Sequence, residues 1–233
     1  MKSLKSYIQE KLIIKKSTSK KNKAINYKYF PQTKEELKDI IKERIKSEGN
    51  EVNLNDIDVS NITNMFRLFK GTDFNGDISD WNVSNVTNMK EMFYICKNFN
   101  QDISGWDVSN VTDMHDMFDE CYLFNQNIST WDVSNVTNMY GIFYGCENFD
   151  QDISSWNVYN VTNMRYMFYF CGNFNQNISS WNVSNVNDMC CMFAHCKKFN
   201  QDISSWNVSN VKKHINIFVN CPIEKKYKPK FSI

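Results

Sequence analysis

Eight cysteines, three histidines and a recurring column of acids are the residues of this chain that could do chemistry. Eight cysteines in a small chain suggest a disulfide framework. Six of them, Cys96, Cys121, Cys146, Cys171, Cys196 and Cys221, instead fall 25 residues apart. If each sits on a short helix, adjacent cysteines lie beyond the ~7 Å that a bridge can span. The column is therefore expected to be reduced and to pack as small apolar residues. Cys190-Cys191, followed by His195 and Cys196, has the residue types of a zinc site. Adjacent cysteines seldom both ligate, however, and Cys196 belongs to the packed column, so no metal centre is expected. His115, His195 and His214 sit in three different repeats, with no fixed relation to a repeated Ser, Cys or Asp that would build a triad. There is no Gly-rich phosphate loop. The acids Asp77, Asp102, Asp152 and Asp202 alternate in their column with Asn127 and Asn177. Calcium-binding β-rolls use such acids but need Gly-rich nonapeptides, which are absent. The expected role is an outward polar ladder beside a buried isoleucine. No catalytic residue, metal or other cofactor follows from this inventory, and the chain reads as a non-enzyme.

What positions these residues is a repeat. The six tryptophans, Trp81, Trp106, Trp131, Trp156, Trp181 and Trp206, are each 25 residues from the next. So regular a spacing means stacked copies of one unit. Further columns run Ile78 to Ile203, Val83 to Val208, Met89 to Met189, Phe93 to Phe218 and Phe99 to Phe199. Met89, Met92, Phe93 and Cys96 fall at i, i+3, i+4 and i+7, one face of a short helix, with Asn85 and Thr87 placed to cap it. The Asn-Val-Thr triplets at Asn85, Asn110 and Asn135 match glycosylation acceptors, but their recurrence assigns them to the turn and cap. The Asp-Ile-Ser and Trp-x-Val stretches read as short strands. About eight large apolar side chains cannot offset the entropy of ordering 25 residues, so each unit needs neighbours. Strands stack about 4.8 Å apart and helices about 10 Å, which forces curvature. The expectation is an α/β repeat solenoid: a leucine-rich-repeat-like curved horseshoe of about seven 25-residue strand–turn–short-helix units, with an N-terminal helical cap.

The run Asp-Ile-Ser-x-Trp-Asn/Asp-Val-Ser-Asn-Val-Thr-Asn-Met-x-x-Met-Phe-x-x-Cys-x-x-Phe-Asn-Gln resembles the BspA-like leucine-rich-repeat surface proteins. These are also catalogued as a domain of unknown function common in Mycoplasma lipoproteins. The resemblance spans roughly residues 54 to 221, with about a dozen matching positions in each of five full repeats. It implies the horseshoe fold and a role in adhesion or partner binding, and it carries no catalytic residue. Many such proteins have a secretion or lipoprotein signal, a pattern from which this chain departs.

The ends of the array are worn, as terminal units facing water should be. Ile57 stands where Trp belongs, and Gly71-Thr72 where Cys belongs. Thr33 followed by Glu36 is a capping box. Leu37, Ile40, Ile41 and Ile45 make an apolar face, and Gly49 is a stop. Residues 26–51 are therefore expected to form a helical cap, 52–221 the repeats and 222–233 a closing tail. Residues 1–25 hold eight lysines and one acid, about +7 in a chain of net charge +1, which leaves the remainder near −6. This segment reads as a solvated tail, with Leu4, Ile8 and Leu12 able to form a short amphipathic helix on a partner. Leu12-Ile13-Ile14 is too short for a signal peptide, and no stretch approaches the ~20 apolar residues of a membrane span. A cytoplasmic location, export by a non-classical route or assembly into a larger particle is expected.

The slots that vary from repeat to repeat are two after each Met and two after each Phe. They bring Tyr140, Tyr144, Tyr166, Tyr169 and Phe170 onto two adjacent repeats, and clustered aromatics mark binding surfaces. The candidate binding residues are these five and the ladder acids Asp102, Asp152 and Asp202. An aromatic patch suits a discrete protein, and a uniform ladder suits a repetitive ligand such as a glycan. Nucleic acid is not expected on a net acidic array. The expected function is a monomeric, non-enzymatic scaffold for a protein or glycan partner. The alternative is a structural or virion-associated component with the basic N-terminus as assembly or targeting tag.

Overall fold

The computed structural model describes residues 16–18 and 24–231. β1 (Lys16–Thr18) pairs antiparallel with β2 (Ala24–Asn26), Ser17 opposite Ile25. The rest of the lysine-rich stretch, with the amphipathic pattern at Leu4, Ile8 and Leu12, lies outside the described residues. α1 (Lys34–Glu48) begins where the Thr33 hydroxyl accepts the Glu36 N–H at 3.2 Å, and ends at Gly49, whose φ is 89°. It buries Leu37 and Ile41 in the same apolar cluster as Val52, Leu54 and Ile57 of the first repeat. Arg44 ties it down through Asp56 at 2.9 Å and the carbonyl of Asn53 at 3.0 Å. No helix among the described residues is long and apolar enough to cross a membrane.

The α/β architecture expected from the sequence, a leucine-rich-repeat-like horseshoe of strand–turn–short-helix units, is not what the repeats adopt. Between Gly49 and the C-terminal 3-10 turn Lys225–Tyr227 there is no helix and no strand. Each unit is instead a chain of turns. In the unit around Trp106, N–H groups reach back three residues from Trp106 to Ile103, Val111 to Val108, Met117 to Met114, Asp119 to Asp116, Cys121 to Phe118 and Phe124 to Cys121. The alternate N–H groups bond to the next layer: Asp116 to the carbonyl of Tyr140 at 2.8 Å, Phe118 to Ile142 at 3.0 Å and Glu120 to Tyr144 at 2.7 Å. A helix would have used those donors within the turn of chain itself. What prevents it is a pair of left-handed residues four apart in each layer, such as Asp116 (φ 52°) and Glu120 (φ 56°). The same two columns are left-handed in all seven layers, from Arg67 and Gly71 to Asn216 and Asn220.

The extended half fails to become strand because its corners come too soon. Asp102 Oδ1 accepts the Ser104 N–H at 2.9 Å, and Asp107 Oδ1 accepts that of Ser109 at 3.2 Å. These are Asx turns five residues apart. One residue per layer makes a parallel bridge, in the series Asn64, Asn88, Asp113, Asn138, Asn163, Asp188, Lys213. With neither helix nor sheet, the mismatch of widths that would have bent a horseshoe is absent. Ring centroids repeat at 5.6 Å from Phe93 to Phe118, 6.0 Å from Phe124 to Phe149 and 6.5 Å from Trp106 to Trp131.

The buried polar groups of the recurring columns are satisfied between layers, as burial demands. Each Trp Nε1 donates to a carbonyl of the layer before, Trp131 to Ile103 at 3.2 Å. Each thiol from Cys96 to Cys196 does the same, Cys121 to Phe93 at 3.0 Å. The first layer has Thr72 in that column, its hydroxyl 3.8 Å from the Cys96 sulfur. Layers joined by direct hydrogen bonds are far closer than helices would be, so the helix-width argument against disulfides does not hold. The cysteines are nonetheless free, and each thiol of the column is occupied by a carbonyl. An asparagine ladder (Asn100, Asn125, Asp150, Asn175) receives a backbone N–H from the following layer at every step. At the C-terminal end Ile203 donates to the Tyr227 carbonyl, and Phe231 stacks on His214 at 4.4 Å.

Candidate functional site

The four variable slots of each layer form four columns along the turn face. Two of these are the left-handed columns. Their side chains are placed outside the core by the backbone rather than by an exposed helix face, which frees them to vary. The signal was present in the sequence: Gly141, Gly145, Asn216 and Asn220 occupy these columns, and Gly and Asn are the residues that tolerate positive φ. Along the stack the face changes character. The first layers carry Arg67, Lys70 and Lys90, the third carries Asp116, Asp119 and Glu120, and the fourth and fifth carry the tyrosines.

The aromatic residues predicted from the sequence are brought together in one strip. Tyr140 meets Tyr166 edge-on at 5.6 Å, and Tyr166 meets Tyr144 at 6.0 Å and Tyr169 at 5.3 Å. Tyr144 lies over Tyr169 at 4.9 Å, and Phe170 meets Tyr169 at 4.6 Å. Two histidines extend the strip, His115 against Tyr140 at 4.8 Å and His195 stacked on Phe170 at 4.2 Å. In the sequence these histidines have no catalytic partner at a fixed spacing. The tyrosines are half-buried by one another, and Phe170 is 40% exposed. Burial, then neighbouring Tyr169, Asp119, Glu120 and Tyr166, push the Tyr144 phenol up to about 12, so it stays a neutral donor.

The acids beside the strip are in two conditions. Glu91 is 5% exposed and holds Arg67 Nε at 2.6 Å and Lys70 Nζ at 2.6 Å. Burial resists its ionisation, but those cations outweigh burial and bring the carboxyl down to about 2. One layer on, Asp116 Oδ2 meets His115 Nε2 at 2.9 Å, while Oδ1 is buried without a hydrogen bond, folded over Gly141. A Cβ on Gly141 would stand 2.1 Å from that oxygen.

The ladder acids lie elsewhere on the unit, in the Asx corners. Asp152 Oδ1 accepts the Ser154 N–H at 2.9 Å and Asp202 Oδ1 that of Ser204 at 3.0 Å, as Asp102 does for Ser104. These bonds hold the Asp152 and Asp202 carboxyls below the usual range. Asp202 also lines a shallow cleft with Asn177, Ser179, Gln201, Ser204 and Ser205. The sequon residues are tied down too: Asn110 Nδ2 donates to the Ser84 carbonyl and Asn135 Nδ2 to that of Ser109. Cys190, Cys191, His195 and Cys196 do not converge. Among the described residues no three His, Cys, Asp or Glu side chains are grouped to hold a metal ion.

A family profile described as "Mycoplasma protein of unknown function, DUF285" matches residues 36–141 and again residues 124–229. The chain belongs to the DUF285 family. The two matches together run from within α1 through the last repeat, so the stacked turns described above are this family's unit as the chain builds it. No curated protein matches the chain.

Proposed function

We propose that the chain is a non-enzymatic repeat scaffold that holds a protein partner on the aromatic strip of its turn face. One observation carries this reading. The recurring Asn, Thr, Trp and Cys side chains all bond from layer to layer, whereas among the described residues the side chains of Tyr140, Tyr144, Tyr166, Tyr169 and Phe170 bond no backbone and meet chiefly one another. Aromatic side chains in a local patch are the groups that carry interface energy. The corner acids supply a local Asx bond, and Asn127 and Asn177 supply it equally well at 3.0 Å. The recurrence of that column therefore has a structural explanation that needs no glycan.

The test is capture of a partner from the native source by wild type and two variants. Tyr144→Ser, Tyr166→Asn and Tyr169→Ser together should abolish capture while the melting temperature holds within a few degrees. Asparagine is chosen at 166 because φ there is 58°. Asp102→Asn, Asp152→Asn and Asp202→Asn keep every Asx bond and should leave capture intact. The opposite pattern would move the site to the corner face and favour a repetitive ligand such as a glycan.

A further inference from the structure

The column that contains Tyr144 and Tyr169 begins Lys70, Tyr94, Asp119. Its register is fixed by backbone bonds: Ile95 N–H to the Asp119 carbonyl, and Glu120 N–H to the Tyr144 carbonyl, both 2.7 Å. A short aspartate thus stands in one layer between two long tyrosines in the layers on either side. Each ring also meets the layer on its other side in sequence, Tyr94 the Lys70 Nζ at 4.2 Å and Tyr144 the Tyr169 ring at 4.9 Å. Rings one layer apart in this column lie 4.9 Å from each other at Tyr144 and Tyr169, so rings two layers apart, flanking Asp119, would be separated by about 10 Å, twice the usual layer spacing. A cation midway would lie about 5 Å from each, inside the ~6 Å reach of a cation–π contact.

The floor of this notch is the Asp119 carboxylate. Asp119 is only 9% exposed, and among the described residues its side chain has no hydrogen bond or ion pair. Asp116 Oδ1 close by is buried and equally without a partner. Burial first, then Asp116, Glu120 and Glu91, push the Asp119 carboxyl up to about 8, with Lys70 pulling the other way. A buried acid surrounded by acids either keeps its proton or ionises against an added positive charge. The chain shows which kind the column takes: Lys70 lies on the Tyr94 ring while its ammonium binds the Glu91 carboxylate at 2.6 Å.

We propose that the notch formed by Tyr94, Asp119 and Tyr144 binds an alkylammonium group, the lysine side chain of a partner protein. The ammonium would repeat against Asp119 and the two rings the contacts Lys70 makes one layer earlier. This rests on the reading of the turn face as partner-binding, and names the charge that the partner must present beside its contact with the tyrosines.

A tetralysine peptide titrated into the full chain, followed by the Tyr94 and Tyr144 ring resonances, tests it without the native partner. Its failure is therefore distinct from loss of capture through the aromatic strip. Saturable binding is expected, tighter at pH 9 than at pH 6.5 because the cation selects the ionised Asp119. Asp119→Asn and Tyr94→Ser should each weaken it at least tenfold. Asp202→Asn, outside the notch, should not change it. Absence of saturable binding, or equal binding by Asp119→Asn, would overturn the proposal. Spermidine binding more tightly than the peptide would assign the notch to a free polyamine and overturn the protein-partner assignment.

Discussion

Asp119 and Glu91 show how one face places two buried acids in opposite conditions. Asp119 ionises near 4 in the unfolded chain and near 8 in the folded one. The folded state therefore binds the extra proton, and stability falls as pH rises from about 4 through 8. Asp119→Asn should raise the unfolding free energy at pH 9, by on the order of a few kcal/mol, and change it little at pH 4, as read from urea denaturation. Glu91 has the opposite sign, because its carboxyl is held near 2. Its stabilisation is present above its unfolded value and is lost as pH falls toward 2. A pair of substitutions probes the left-handed columns. Ile95 holds φ 61° and Gly145 holds φ 69° in the same column. A side chain there costs roughly 1–2 kcal/mol, partly offset in the unfolded state. Ile95→Gly should stabilise by up to about 1 kcal/mol and Gly145→Ile should destabilise by about 1–2 kcal/mol, read from urea midpoints.

At the scale of the elements, the sequence disclosed the columns but not the conformation that lines them up. Ile103, Trp106, Val108, Met114, Phe118, Cys121 and Phe124 are all buried, as a 25-residue period of apolar residues requires. Met89, Met92, Phe93 and Cys96 misled because overlapping three-residue turns generate the same i, i+3, i+4, i+7 spacing as a helix. Only the conformational cost of the intervening residues distinguishes the two. Gly141, Gly145, Asn216 and Asn220 carried that information, but Glu, Asp, Ile, Tyr and Phe in the same columns obscured it. The aromatic cluster was legible because five ring residues fall in the variable slots of two adjacent units. The orphan acid Asp119 was not, because nothing in its identity says that its layer neighbours leave it unpaired. Far-UV circular dichroism should show a 222 nm signal matching the 15 residues of α1, where a helix in every unit would give several-fold more. Trp131→Ala removes a buried ring and its bond to the Ile103 carbonyl, and should cost about 3–5 kcal/mol. Ser129→Ala, at an exposed corner, should cost under about 1 kcal/mol.

The whole molecule is a one-dimensional stack, in which each layer is stabilised by the layers above and below it. Its cysteines act as carbonyl partners. Burial pushes the Cys96 thiol up to about 11 and the deeper ones higher still, so they are poor nucleophiles. Adding a reductant should leave the melting temperature unchanged, and a drop of tens of degrees would mean that bridges staple the layers. The account depends on where the turn-face N–H groups point, because that direction places the variable side chains outside the core and aligns Tyr94, Asp119, Tyr144 and Tyr169 in one column. Scalar couplings across hydrogen bonds, measured by NMR on the labelled chain, read that direction without intermediaries. They should connect the N–H of Asp116, Phe118 and Glu120 to the carbonyl carbons of Tyr140, Ile142 and Tyr144. Couplings from Phe118 to Met114 and from Cys121 to Met117, four residues back in the same unit, would mean that each layer is a helix and would contradict the account.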